Sequence, residues 1–233
     1  MRKPAARPFT LVELIAVMGV LILFSAIAIP AYSSLFSGRK TTLAANQLNA
    51  AVMEARAHAV SSKNLTALVF AKEEYTKANG SKGYRYAGFR LAEVRKGSGT
   101  KSFDWRRWVP DSSLERFPEN TMIPIGNSAT DSNAKKDFGM TDGSDNTDGG
   151  DGGKATPPTV NKLPDGFSIG NSTSAIIFHP NGQLAGTSQQ YNIVVRFVEA
   201  NRYDATNGVD TPRLPLNINW MTCKAKFLDP VQK

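Results

Sequence analysis

Cysteine is nearly absent from these 233 residues: Cys223 is the only one. An intramolecular disulfide is therefore excluded, and no framework of bridges supports the fold. Cys223 is too far from the N-terminus for lipoprotein acylation and reads as a small, half-buried strand residue. Histidine is almost as scarce. His58 and His179 lie far apart, without a second ligand at metal spacing, so both read as ordinary residues. No Ser–His–Asp set or phosphate loop is identifiable, which argues against an enzyme. Charge of one sign does not dominate either. The net charge is +8, and Arg2, Lys3 and Arg7 supply three of those positives ahead of Phe9, leaving about +5. That mild excess does not by itself demand nucleic acid. Long apolar runs are limited to one, at the N-terminus, where Leu14 to Ile29 carry no charge. The rest is rich in Gly, Asn, Ser and Thr and is long enough for one domain, or two small ones, with a real core.

The apolar run lies within "RPFTLVELIAVMGVLILFSAIAIPAY", Arg7 to Tyr32. A basic leader, an apolar stretch and Ala26-Ile27-Ala28 fit a secretory signal cut near Ala28. An uncut anchor fits as well. As a helix, Phe9 to Ile29 covers about 30 Å, the thickness of the hydrocarbon core, with the basic leader held on the cytoplasmic side. Both readings leave Glu13 unexplained, because a carboxylate inside a membrane segment is costly and points to function.

Phe9, Thr10, Leu11, Glu13, Leu14, the run to Ile29, Pro30 and Tyr32 together resemble the N-terminus of type IV pilins and type II secretion pseudopilins. The resemblance implies cleavage by a prepilin peptidase between Pro8 and Phe9 and N-methylation of the new terminus. It also implies insertion in the inner membrane with the head periplasmic, then assembly with other pilin or pseudopilin subunits into a helical filament. The family usually has Gly where this chain has Pro8, which restricts the backbone there. The resemblance also gives Glu13 a role. In the filament it pairs with the terminal amine of a neighbouring subunit, an attraction of about 4 kcal/mol at ~4 Å and an effective dielectric near 20, before desolvation is subtracted.

Beyond Pro30, which is expected to kink the helix, Ala44, Leu48, Ala51, Val52, Ala55 and Ala59 recur at helical steps. One helix of about 80 Å is expected from near Phe9 to near Ser61, with Gly38 as a weak point. Strands are expected at Leu65–Ala71, at Gly83–Val94 with a bulge at Gly88, and at Thr121–Gly126 as an edge strand because of Pro124. Others are expected around the Pro180-Asn181-Gly182 turn, at Tyr191–Ala200, and in "LNINWMTCKAKFL". The expected class is α+β: a long N-terminal helix, half transmembrane and half amphipathic, packed on an antiparallel sheet in a pilin-like head. The expected divisions are a leader at 1–8, a membrane or filament helix at 9–30, an amphipathic helix at 31–62 and a β-rich head at 63–233. Within the head, 126–160 reads as a flexible loop. "IIFHPNGQL" and "INWMTCKAKF" resemble the minor-pilin and pseudopilin-H-like branch, an analogy at the level of fold.

Two further stretches carry chemistry. In Phe138 to Gly153, Asp142, Asp145, Asp148 and Asp151 recur every third residue among Gly and Asn. Oxygen-rich loops suit Ca2+, but no Glu closes the loop as in an EF-hand, and a solvated loop explains the composition equally. In Glu93 to Pro110, Arg95, Lys96, Lys101, Arg106 and Arg107 flank Trp105 and Trp108. Such a set can hold DNA phosphates and stack bases, or it can be a solvated basic loop whose tryptophans pack on the sheet.

Overall fold

The computed structural model describes residues 11–76, 80, 82–99, 102–125, 138–141, 157–185, 192–200, 214–219 and 221–227. For 27–38 and 138–141 it describes the backbone alone. The chain divides into two compact units, Met1–Arg39 and Lys40–Lys233.

One helix, α1, covers Leu11–Ser62. Its residues up to Arg39 belong to the first unit and the rest to the second. Glu13 stands near the start of its described part. The backbone stays helical through Pro30 and Gly38, so neither residue ends the helix. It stops after Ser62 because Lys63 takes a left-handed φ of 57°, the conformation that closes many helices.

The second unit is built on β1 (Thr66–Thr76), β2 (Lys82–Lys96), β3 (Ser102–Trp108), β4 (Glu115–Arg116), β5 (Thr121–Ile125), β6 (Phe138–Thr141), β7 (Thr159–Asn161), β8 (Ser172–Phe178), β9 (Asn192–Glu199), β10 (Leu214–Ile218) and β11 (Ala225–Phe227). Five of these close on themselves. β1 pairs with β2, β2 with β3, β3 with β7, β7 with β8, and β8 again with β1. Four of the five pairings are antiparallel and β3–β7 is parallel. From the N-terminal part of β2 a second branch continues through β5, β9, β10 and β11, with β6 also on β9 and β4 on β2. The bulge in β2 leaves Ala87 unpaired beside Gly88, the neighbouring position to the one expected. Gly88 is needed there, since a side chain would collide with the Glu115 carbonyl of β4.

Strand alternation sorts the core into two compartments. Ala67 and Val69 of β1, Ala92 and Val94 of β2, Phe103 of β3, Val160 of β7, and Ala175 and Ile177 of β8 share one cluster. The alternate residues, Leu68, Phe70, Phe89, Leu91, Ile176 and Phe178, join Ile193, Val195 and Phe197 of β9 against α1. The helix meets these large side chains with Ala44, Ala45, Ala51, Ala55 and Ala59 around Leu48 and Val52. Small residues on the helix and large ones on the sheet let the two surfaces approach closely.

The turn after β8 locks onto this helix. The Gly182 amide donates to the His179 carbonyl at 2.8 Å, and Gly182 has φ +80°. A Cβ at Gly182 would stand 3.0 Å from Arg56 Nε and 3.2 Å from Val60 Cγ2. Arg56 donates to the Thr222 carbonyl at 2.7 Å, and Cys223 Sγ donates to the Gly182 carbonyl at 3.1 Å. The turn after β8, the turn before β11 and the helix are thus tied together.

Several expectations need correction. The unit is dominated by a large mixed sheet of eleven described strands, so the expected fold class, a long helix on an antiparallel head, does not hold. Among the described residues no helix is long and apolar enough to cross a membrane. The transmembrane half of the expected fold class is therefore not borne out among them. Thr121–Ile125 is an inner strand between β2 and β9 rather than an edge. Pro124 is tolerated because the β9 ladder reaches only Thr121 and Met122. "LNINWMTCKAKFL" forms two strands around a tight turn. Cys223 is fully buried in that turn at φ 54°, not half-buried in a strand. The expected loop at 126–160 contains β6 and the start of β7.

Gly182→Ala is expected to lower stability by at least ~2 kcal/mol, since it combines a left-handed backbone with a contact on α1. Gly170→Ala, at φ +82° with no atom near its Cβ, carries the backbone cost alone. Denaturant midpoints of the two variants measure the difference between them, which is the worth of the helix contact.

Candidate functional site

Two groups of candidate residues fall within the described structure. The first lies on α1. From Leu11 to Phe24 every large apolar side chain is more than half exposed, the least being Val20 at 51%. Glu13 is the one charged residue of that stretch. Each such side chain is worth about 1.5–3 kcal/mol when removed from water, so a surface of this size calls for a covering partner. Pro8 and Phe9, the expected processing site, lie outside the described residues. Pro30 is placed by its backbone only, within the helix.

The second group is the basic and aromatic segment, and its expected loop is a strand pair. Arg95 and Lys96 end β2, while Trp105, Arg106, Arg107 and Trp108 belong to β3. Lys101 lies outside the described residues. Two carboxylates that sequence reasoning passed over organise this region. Glu93 is 1% exposed and receives two bonds from Arg107, Nε to Oε2 at 2.9 Å and Nη2 to Oε1 at 2.8 Å. Asn64 Nδ2 adds a bond of 3.3 Å, and Arg106 stands at 4.0 Å. Asp104 accepts Lys162 Nζ at 2.6 Å and has Arg95 at 3.8 Å. The Arg107 guanidinium, bonded to both oxygens, holds the Glu93 carboxyl below its ordinary range, although burial pushes the other way. The available signal for Glu93 is its place in β2: it follows Leu91 and Phe89 on the face that meets α1, where a carboxylate needs a partner.

The tryptophans pack inward. Trp108 lies 4.5 Å from the Phe167 ring and carries the Arg90 guanidinium 4.6 Å from its centroid, with Trp105 edge-on at 5.8 Å. Both pack against the barrel core. These contacts engage the half-buried Trp108 ring within the protein rather than leaving it standing out as a platform for a base.

Asp142, Asp145, Asp148 and Asp151, the candidate Ca2+ ligands, lie outside the described residues. Among the described residues no group of three or more His, Cys, Asp or Glu side chains converges to hold a metal. His58 contacts Thr66 Oγ1 at 3.1 Å, and His179 opens the turn locked onto α1. Burial raises the Cys223 thiol above its ordinary range, which keeps it protonated and unreactive.

Comparison of the chain with family models, with curated proteins and with solved structures gives no match in any of the three.

Because the Glu93 carboxyl is depressed in the folded state, its ion pair contributes stability that is full above pH ~4.5 and lost as pH falls through the folded value. Glu93→Gln is expected to cost about 2 kcal/mol near neutral pH, the worth of a charged hydrogen-bond pair. That gap should close in acid. Urea unfolding of both proteins across this pH range checks it.

Proposed function

We propose that this chain is a pilin-like subunit, a minor pilin or pseudopilin. It assembles through its N-terminal helix into the filament of a type IV pilus or a type II secretion pseudopilus. One observation carries the reading: a helix whose first part exposes every large apolar side chain belongs to a chain with a separately packed β-rich unit. Such a helix is stable only where lipid or other apolar helices surround it. A filament core supplies the second environment after a membrane has supplied the first, so little is lost when the subunit moves between them. Head-to-tail contacts of one kind that do not close then extend the assembly indefinitely.

On this reading the precursor sits at the inner membrane with its head periplasmic, and the prepilin peptidase removes residues 1–8. Glu13 then sets the register of neighbouring helices. The resemblance in Phe9 to Tyr32 supports the processing step, and the exposed apolar helix supports the assembly step.

Expression with a prepilin peptidase is expected to yield protein that begins at a methylated Phe9, read by mass spectrometry of the intact chain. Glu13→Ala is expected to be processed normally and to enter sheared filaments several-fold less than the parent. An intact Met1 together with undiminished recovery of Glu13→Ala would replace this reading with that of an unprocessed anchored domain.

A further inference from the structure

The outer wall of the β2–β3 pair has a charge arrangement that the filament reading does not use. Glu93 and Arg95 lie two residues apart on one face of β2, paired with Arg107 and Asp104 of β3. Each carboxylate is largely withdrawn from solvent, at 2% and 14% side-chain exposure, and each is shared by two cations that remain mostly exposed. Glu93 holds Arg107 closely and Arg106 loosely. Asp104 holds Lys162 closely and Arg95 loosely. Each buried acid can balance only one of its cations, so two positive charges remain in excess, and Lys96 beside Arg95 adds a third. The acids also fix where the cations stand. Arg106 and Arg95, at 4.0 Å and 3.8 Å from their carboxylates, are oriented by them and keep donors free for another anion.

We propose that this wall is a binding surface for the phosphate backbone of double-helical DNA, read without regard to sequence. Guanidinium groups suit phosphate because their planar forks donate two parallel bonds. A ladder fixed by buried acids presents them without the entropy cost of ordering long free side chains. The choice of duplex over single strand follows from the aromatics. Arg90, Phe167 and Trp105 engage Trp108 within the protein, so what the described wall chiefly offers a nucleic acid is charge density.

The test uses the full-length chain in non-ionic detergent micelles and a fluorescent 20-base-pair duplex of random sequence. Anisotropy is read from low to moderate salt. Binding is expected to weaken with a log–log salt slope near about −3, for roughly three phosphate contacts. Arg95→Gln with Arg106→Gln leaves each carboxylate its close partner, so the fold is retained, which a thermal melt verifies. This double variant is expected to bind at least about tenfold more weakly at low salt and to lose about 2 from the slope. Lys224→Gln with Lys226→Gln, on and beside β11, is expected to bind as the parent does. The proposal is overturned if the parent does not bind at low salt, or if the Arg95/Arg106 variant binds equally. It is also overturned if a single strand of the same length binds more tightly. Polyglutamate competing as well as unlabelled duplex would reassign the surface to an acidic protein.

Discussion

An odd number of strands cannot close into a ring through antiparallel neighbours alone, because direction alternates and the last strand meets the first pointing the same way. The five-stranded ring of β1, β2, β3, β7 and β8 must contain a parallel pair, and β3–β7 is that pair. Parallel neighbours cannot be joined by a hairpin, and the chain needs a long crossover between them. Here the crossover is the segment between Trp108 and Thr159, which supplies β4, β5 and β6. β5 then gives β9 a strand to pair with, and β9 leads on to β10 and β11. The second branch of the sheet thus follows from how the first one closes.

The closed ring also explains the residue sizes. On β1, β2 and β8, residues pointing into a five-stranded ring have little room, so alanine and valine recur there beside a few larger fillers. Residues pointing out meet the Ala44–Ala59 part of α1 and are phenylalanine, leucine and isoleucine. The helix answers with alanine. Position along the helix is then fixed by Arg56 and Gly182. Arg56 reaches the Thr222 carbonyl, and Gly182 brings the turn after β8 against its stem, so the last turns of α1 register against two separate loops.

Parts of this were legible in the residues and parts were not, for physical reasons. Alanine at three- and four-residue steps marks the buried helical face, and the valine-rich run after Tyr191 marks β9, because both patterns report burial directly. The strand character of β3 is masked in a segment whose composition suggests either a nucleic-acid contact or a solvated basic loop. Phe103 and Trp105 alternate inward, but the ladder slips between Glu93 and Val94, so Arg106 has no opposite residue on β2 and Trp108 falls out of the period-two pattern. Ring closure is a property of pairing between distant segments and leaves no local trace, so an antiparallel sheet was the natural but incorrect expectation. Pro124 suggested an edge because a proline lacks an amide to donate. That argument holds for a full ladder, whereas β9 stops two residues earlier. Within the basic segment the arginines and tryptophans stood out by type. The residues that decide what they do, Glu93 and Asp104, did not, because their importance comes from burial.

The two faces of the chain's chemistry are governed by the same quantity, the cost of leaving a group without its proper surroundings. In the second unit Glu93 is drawn out of water only because Arg107 and Asn64 meet its oxygens, and the alanines of α1 are covered by the sheet. From Leu11 to Phe24 no comparable cover exists within the described chain, although the side chains there are larger and more apolar than those on the covered half. On the proposed reading, the contacts missing from this adjoining stretch are made by another molecule. The uniform exposure around that stretch narrows what the molecule can be. A flat protein surface would cover one side of it, while lipid or a bundle of like helices would cover every side.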